Sequence, residues 1–205
     1  MTTSQSKLPS KKVLLLLAEG FEIYEASVFI DVFGWNLTDG DGSTRLFSCG
    51  LRKQLNSSFG QGFIVDLIAS EINPDDFDAL AIPGGFEEYG FYTDAYDENF
   101  LEVIRKFNTA GKPIASVCTG ALPVGKSGIL HGRRATTYNR NPKRQDILRS
   151  FGIEVVNEPI VEDGNIITSF NPSTAINVAL SLLSKLTSPA QAAEIRYLMG
   201  FSESR

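Results

Sequence analysis

Apolar positions in this chain fall into two rhythms. Some form short continuous runs: Lys12 to Ala18, closed by Glu19-Gly20; Asp78 to Ile82, ending in Pro83-Gly84-Gly85; and Pro113 to Val117, running into Cys118-Thr119-Gly120. Runs of this length, apolar on successive positions, are strands buried on both faces, which implies a parallel sheet covered by helices. Between them the period changes to helical. In Glu22 to Trp35, Glu25, Val28, Phe29 and Val32 share one stripe at i, i+3, i+4 and i+7, a stripe that begins with a carboxylate. Asp97 to Ala110 is a second amphipathic helix with Gly111 at its C-cap. Ala121 to Ser127, ended by Gly128, Pro142 to Ser150, Pro172 to Leu186 and Pro189 to Met199 are further helices.

The remaining segments are less regular. Thr44 to Cys49 reads as a strand, and Gln54 to Asp66, broken by Gly60 and Gly62, as short antiparallel strands or a hairpin. Arg134 to Thr137 and Glu154 to Val156 read as strands, and Ile160 to Glu162 and Asn165 to Thr168 flank Asp163-Gly164 as a hairpin. Strands alternating with helices in this way predict an α/β fold, a three-layer α/β/α sandwich with ligands at the carboxyl ends of its strands.

Composition narrows the reading. With 205 residues, 42% of them apolar, the chain suits one core: a loosely ordered leader over residues 1–11 and one domain over 12–205. The net charge of -5 and the lack of a basic, aromatic-interleaved region argue against nucleic acid as a partner. Val13 to Ala18, the longest apolar run, is far below membrane-spanning length, and MTTSQSKLPSKK has no secretory h-region, so a cytoplasmic protein is expected. The two cysteines, Cys49 and Cys118, lack the spacing of a disulfide framework or metal site; both are expected as free thiols, with no metal and no cofactor.

The chemistry concentrates at ASVCTGA, Ala115 to Ala121. A nucleophile elbow presents its residue on a strained strand-to-helix turn and needs small neighbours, which Ser116, Gly120 and Ala121 supply. A thiol just before a helix lies at the positive end of the helix dipole, so the sequence predicts a lowered pKa for Cys118. The opposing reading is a buried cysteine serving as a small hydrophobe, which is also the reading given to Cys49 at the end of its apolar strand. Glu25, on an apolar stripe, either reaches the rim or is buried with a raised pKa, and a protonated Glu25 could donate to a Cys118 thiolate. Glu22 fits the simpler part of a carboxylate at the helix start. The glycines of Pro83-Gly84-Gly85 let backbone amides approach a ligand closely and complete an oxyanion hole. Phe86 to Tyr92 either roofs the pocket or packs on a neighbouring subunit, and Arg133, Arg134, Arg140, Lys143 and Arg144 form a basic cluster read mainly as solvated surface, with an anionic ligand as the other reading.

Five ordered blocks, LLLLAEGFEIYEASVFIDVF (Leu14 to Phe33), ALAIPGG (Ala79 to Gly85), GKPIASVCTGA (Gly111 to Ala121), GILHGRRATTY (Gly128 to Tyr138) and DGNIITSFNPSTAINVAL (Asp163 to Leu180), resemble the ThiJ/PfpI superfamily over nearly the whole chain. The resemblance implies a flavodoxin-like sandwich with a mostly parallel sheet, commonly a homodimer. It also implies a reactive elbow cysteine at Cys118, a hydrogen-bonded glutamate at Glu25, and oxyanion-hole amides at Gly85 and Thr119, with Gly84 and Tyr138 lining the pocket.

One departure changes the expected reaction. Many active members carry a histidine just after the ATT segment or immediately after the cysteine, where this chain has Tyr138 and Thr119. The only histidine, His131, sits seven residues before Tyr138 in a Leu130-His131-Gly132 turn and is expected to face solvent. Without imidazole there is no general base of near-neutral pKa, which disfavours proteolysis. The expected function is cysteine-dependent chemistry on a small reactive carbonyl compound, of glyoxalase, deglycase, hydratase or hydrolase type, through Cys118 and Glu25. Thr119 matches the CTG form of isocyanide-hydrating relatives, although those carry an aspartate where Glu25 stands. The alternative is a redox-sensing or chaperone-like stress protein that oxidises Cys118 without turnover.

Overall fold

The computed structural model describes residues 11–201. The leader falls outside them, except that Lys11 already belongs to the first strand. In chain order the elements are β1 (Lys11–Leu17), α1 (Ile23–Thr38), β2 (Thr44–Gly50), β3 (Gln54–Asn56), β4 (Gly62–Ile64), β5 (Leu67–Ile68), β6 (Ala79–Ile82), α2 (Phe91–Ala95) and α3 (Glu98–Thr109). They continue with β7 (Ile114–Ser116), α4 (Ala121–Lys126), β8 (Arg134–Ala135), α5 (Pro142–Ser150), β9 (Glu154–Val155), β10 (Ile160–Asp163), β11 (Ile166–Ser169), α6 (Ala175–Leu186) and α7 (Pro189–Leu198).

Seven strands form the central sheet in the order β10-β11-β7-β6-β1-β2-β5. Every pair is parallel except the β10–β11 hairpin. The apolar run of β1 divides its side chains between two cores, as the two-residue period of a strand requires. Val13, Leu15 and Leu17 face Phe29 and Val32 of α1, Val178 and Leu182 of α6 and Ile195 of α7. Leu14 and Leu16 face the opposite layer, with Phe100, Ile104 and Phe107 of α3, Leu122 of α4 and Leu148 of α5. These two cores are what make the fold a three-layer α/β sandwich of flavodoxin-like type, as expected.

The differences from expectation lie at element ends and in short pieces. The first helix starts at Ile23, because Glu22 is its N-cap: the Glu22 carboxylate accepts the Glu25 N–H at 2.8 Å. Pro172–Thr174 is a single 3₁₀ turn, so the long helix begins only at Ala175. The Gln54 to Asp66 segment does contain the antiparallel pair β3–β4, but β8 and β9 pair with each other in a small parallel ribbon outside the main sheet. Neither β5 nor α2 carries enough periodic sequence to be anticipated; α2 is five residues long and begins after Gly90, whose φ of 84° ends the preceding turn.

Because β1, β6 and β7 are parallel neighbours, the segments that follow them emerge at one edge of the sheet. The start of α1 follows β1, the Gly84-Gly85 turn follows β6, and the Cys118 turn follows β7. Positions far apart in sequence therefore meet at the carboxyl ends of the strands, where open α/β sheets place their sites.

Candidate active site

Cys118 leaves β7 with φ of +57°, one of two non-glycine residues in the left-handed region among the described residues. A β-carbon makes that conformation costly, and it persists because the surrounding chain fixes it. The Val117 N–H donates to Ile82 O at 3.1 Å, the Gly120 N–H to Val117 O at 2.9 Å, and the Thr137 hydroxyl to Cys118 O at 2.8 Å. Gly120 is required by close packing, since a β-carbon there would sit 2.7 Å from Ile82 O. One 3₁₀ turn, Cys118–Gly120, then leads into α4.

Glu25, on the inner stripe of α1, is fully buried. Its Oε2 accepts the Gly84 N–H at 2.6 Å, while Oε1 has no nitrogen or oxygen partner among the described residues. The carboxyl interacts with the Cys118 thiol. Gly84 is the only residue type that fits behind it: a β-carbon would come within 2.9 Å of Glu25 Oε2 and 2.7 Å of Thr119 Oγ1. Gly84, expected at the pocket wall, thus backs Glu25 from behind. The Gly85 amide is already engaged, donating to Thr119 Oγ1 at 2.9 Å, while that hydroxyl donates to Gly85 O at 2.9 Å. The Thr119 N–H interacts with the Cys118 sulfur.

The electrostatics reverse one expectation. Burial pushes the Glu25 carboxyl up to about 8, with the Gly84 N–H opposing and the charge of Glu22 adding to the rise. Burial, and next the Glu25 carboxyl, push the Cys118 thiol well above its usual range, against the N–H and hydroxyl of Thr119. The sequence predicted a lowered thiol pKa from a helix end. In the structure the regular helix begins only at Ala121 and spans six residues, so its dipole is short and displaced, and desolvation outweighs it.

Above the sulfur is a cavity of about 280 Å³ whose lining includes Cys118, Thr119, Glu25, Gly85 and Tyr138. The sequence thereby placed four of its catalytic and oxyanion candidates and Tyr138 around one space. Arg144, Asn141, Glu22, Glu87 and Phe86 also line it. The sequence groups Arg144 with a solvated basic cluster, because its 57-residue separation from Glu87, its partner at 2.8 Å, has no local signature. The cluster itself disperses: Arg133 bonds Asn165 and Arg134 bonds Glu158. His131 is exposed beside Gly152 and is not among the lining residues. Cys49 is fully buried and is not among the residues lining this cavity, its thiol pushed up to about 12 by burial alone. Among the described residues there is no group of three or more His, Cys, Asp or Glu side chains that could hold a metal ion, and no helix long and apolar enough to cross a membrane.

Comparison with known proteins adds three findings. The model of the DJ-1/PfpI family matches residues 11–185. A deglycase of Pyrococcus abyssi is 32% identical over 161 residues, covering 78% of this chain and 90% of the relative; an isonitrile hydratase of Pseudomonas putida is 35% identical over 109 residues, covering 53% and 45%. The crystal structure of a ThiJ/PfpI family protein from Pseudomonas syringae superposes with a TM-score of 0.83 at 21% identity, covering 97% of this chain and 78% of that one.

Proposed function

The chain belongs to the DJ-1/PfpI family, and from that premise we propose that it is an enzyme acting on a small carbonyl compound, with Cys118 as nucleophile and Glu25 as its proton relay. What carries the reading is Glu25: a wholly buried carboxyl with one oxygen fixed by Gly84 and the other without a nitrogen or oxygen partner, set against the thiol of a strained elbow under an open cavity. An unpaired carboxyl oxygen is costly to bury, so its retention beside a thiol is better explained by chemistry than by packing. The names of the deglycase and the isonitrile hydratase among the relatives support a reaction at an electrophilic carbon.

In the proposed step ionised Glu25 takes the thiol proton, the Cys118 sulfur bonds to the carbonyl carbon, and the C=O π pair moves onto oxygen. That oxygen then receives the proton back from Glu25, giving a neutral thiohemiacetal and restoring the carboxylate. The Thr119 amide stands next to the sulfur. The Gly85 amide serves the oxyanion if the Thr119 hydroxyl turns away from it, which leaves the hole closed until substrate enters. No histidine lines the pocket, and of the two buried acids that do, Glu22 accepts the Glu25 N–H while Glu25 interacts with the thiol and is placed to move its proton.

A second reading rests on the same thiol. In a redox role peroxide would oxidise Cys118 and nothing would be turned over; the cavity above the sulfur favours this reading by admitting peroxide, while the raised thiol pKa counts against it, because the thiolate is the form that peroxide attacks. Turnover separates the two. The enzyme reading expects wild-type protein to consume methylglyoxal or glyoxal and Cys118→Ala to have no activity; equal rates in the two proteins would overturn it.

A further inference from the structure

Among the residues lining the cavity, Arg144 is the only one with a cationic side chain. It projects from the first turn of α5, whose N-cap residue Asn141 lines the same space. Only 17% of its side chain is exposed. Its guanidinium lies over the Tyr92 ring at 5.1 Å from the centroid, and it makes one hydrogen bond among the described residues, from Nη2 to Glu87 Oε2 at 2.8 Å. A planar guanidinium held by an aromatic face and using one of its five donors is prepared to receive a second planar anion. The start of α5 adds positive potential in the same direction.

We propose that Arg144 is the specificity-determining residue of this pocket and docks the carboxylate of a small 2-oxo acid, of which glyoxylate is the smallest example, while the carbonyl carbon meets Cys118. The proposal rests on the carbonyl chemistry assigned to Cys118 for its reacting end, and on Arg144 alone for its choice of substrate. Four carboxyls also line the cavity, and none of them defeats an anion. Glu25, pushed up to about 8 by burial, carries its proton in most molecules at neutral pH, and the ionised minority is the form that starts the proposed reaction. Glu22 spends its carboxylate on the Glu25 N–H at 2.8 Å. Glu88 is exposed, and Glu87, with 65% of its side chain exposed, is the carboxylate already seated on Arg144. Because the Glu87 carboxylate remains open to water on its side of the pair, giving up this contact costs it little, and it can yield its place to a substrate carboxylate.

Two alkylating reagents of nearly equal size test the docking without requiring turnover. Iodoacetate carries a carboxylate and iodoacetamide does not; each forms an S–C bond as iodide leaves with the C–I electron pair and the thiol proton is released. The readout is the ratio of their rates at Cys118, followed by peptide mass spectrometry. Arg144→Gln is expected to lower the iodoacetate-to-iodoacetamide ratio about tenfold, the size of one hydrogen bond to a charged group. Glu87→Gln, which frees the guanidinium, raises the ratio roughly threefold. Lys143→Gln, an exposed neighbour that does not line the cavity, leaves it unchanged. A ratio unaffected by Arg144→Gln, or lowered equally by Lys143→Gln, overturns the proposal. Turnover of glyoxal but not glyoxylate would overturn it too and leave the enzyme reading standing, whereas absence of turnover on either compound with the predicted ratios would fault the enzyme reading alone.

Discussion

Cys49 and Cys118 stand at the carboxyl ends of two strands of the same sheet, and burial raises the pKa of both thiols. What separates them is company. Cys49 lies in regular strand among Leu16, Phe77 and their neighbours, its pKa raised by burial alone, and it does not line the cavity. Cys118 is forced to positive φ, faces a carboxyl with an unpartnered oxygen, and opens on a cavity. A depressed thiol pKa is therefore not the mark of this site. Its mark is a second titratable group, buried at the same point and interacting with the sulfur.

The sharpest way to break the comparison is to remove each thiol in turn. Cys118→Ala is expected to abolish turnover of methylglyoxal or glyoxal, while Cys49→Ala keeps it and lowers stability by about 1 kcal/mol, as read by urea denaturation. Next in size is Glu25→Gln, which keeps the Gly84 N–H bonded but cannot accept a proton; kcat should fall by roughly 10²-fold. Gly84→Ala presses a methyl group against Glu25 and Thr119 and should cost about 1–3 kcal/mol. Gly62→Ala, in β4 with nothing within 4 Å of the added carbon, should stay within about 0.5 kcal/mol of wild type in the same denaturation series.

A further comparison concerns pH. Glu25 binds its proton more tightly folded than unfolded, so the stability this contributes is complete below its ordinary value of 4.5 and is lost as pH rises toward about 8. Wild-type stability should fall over that window more steeply than that of Glu25→Gln, by no more than a few kcal/mol. Parallel curves for the two proteins would mean that the carboxyl titrates normally in the folded state.

Much of this was readable in the chain because it is local. The run Val13 to Leu17 declares a doubly buried strand, and Glu25 draws notice because it interrupts an apolar stripe. The Cys118 elbow follows from small residues between a strand and a helix. What could not be read depends on distance or on surroundings. Gly84 and Glu25 are 59 residues apart, and Arg144 and Glu87 are 57; no spacing rule joins such pairs. The direction of the thiol shift is not legible in the chain, because a helix end is visible in sequence, while the depth at which the helix start is buried is not. The five-residue α2, which carries the Tyr92 ring beneath Arg144, is too short to leave a periodic trace.

The pairing of Glu25 with Cys118 is tested most directly by the rate of Cys118 alkylation with iodoacetamide as a function of pH, in wild type and in Glu25→Gln. Two protons shared between a carboxyl and a thiol should leave in two steps, the first near pH 8 and the second well above 9, and Glu25→Gln should collapse the profile to a single step. Superimposable single-step profiles in the two proteins would contradict the account, because the sulfur would then ionise without regard to the carboxyl beside it.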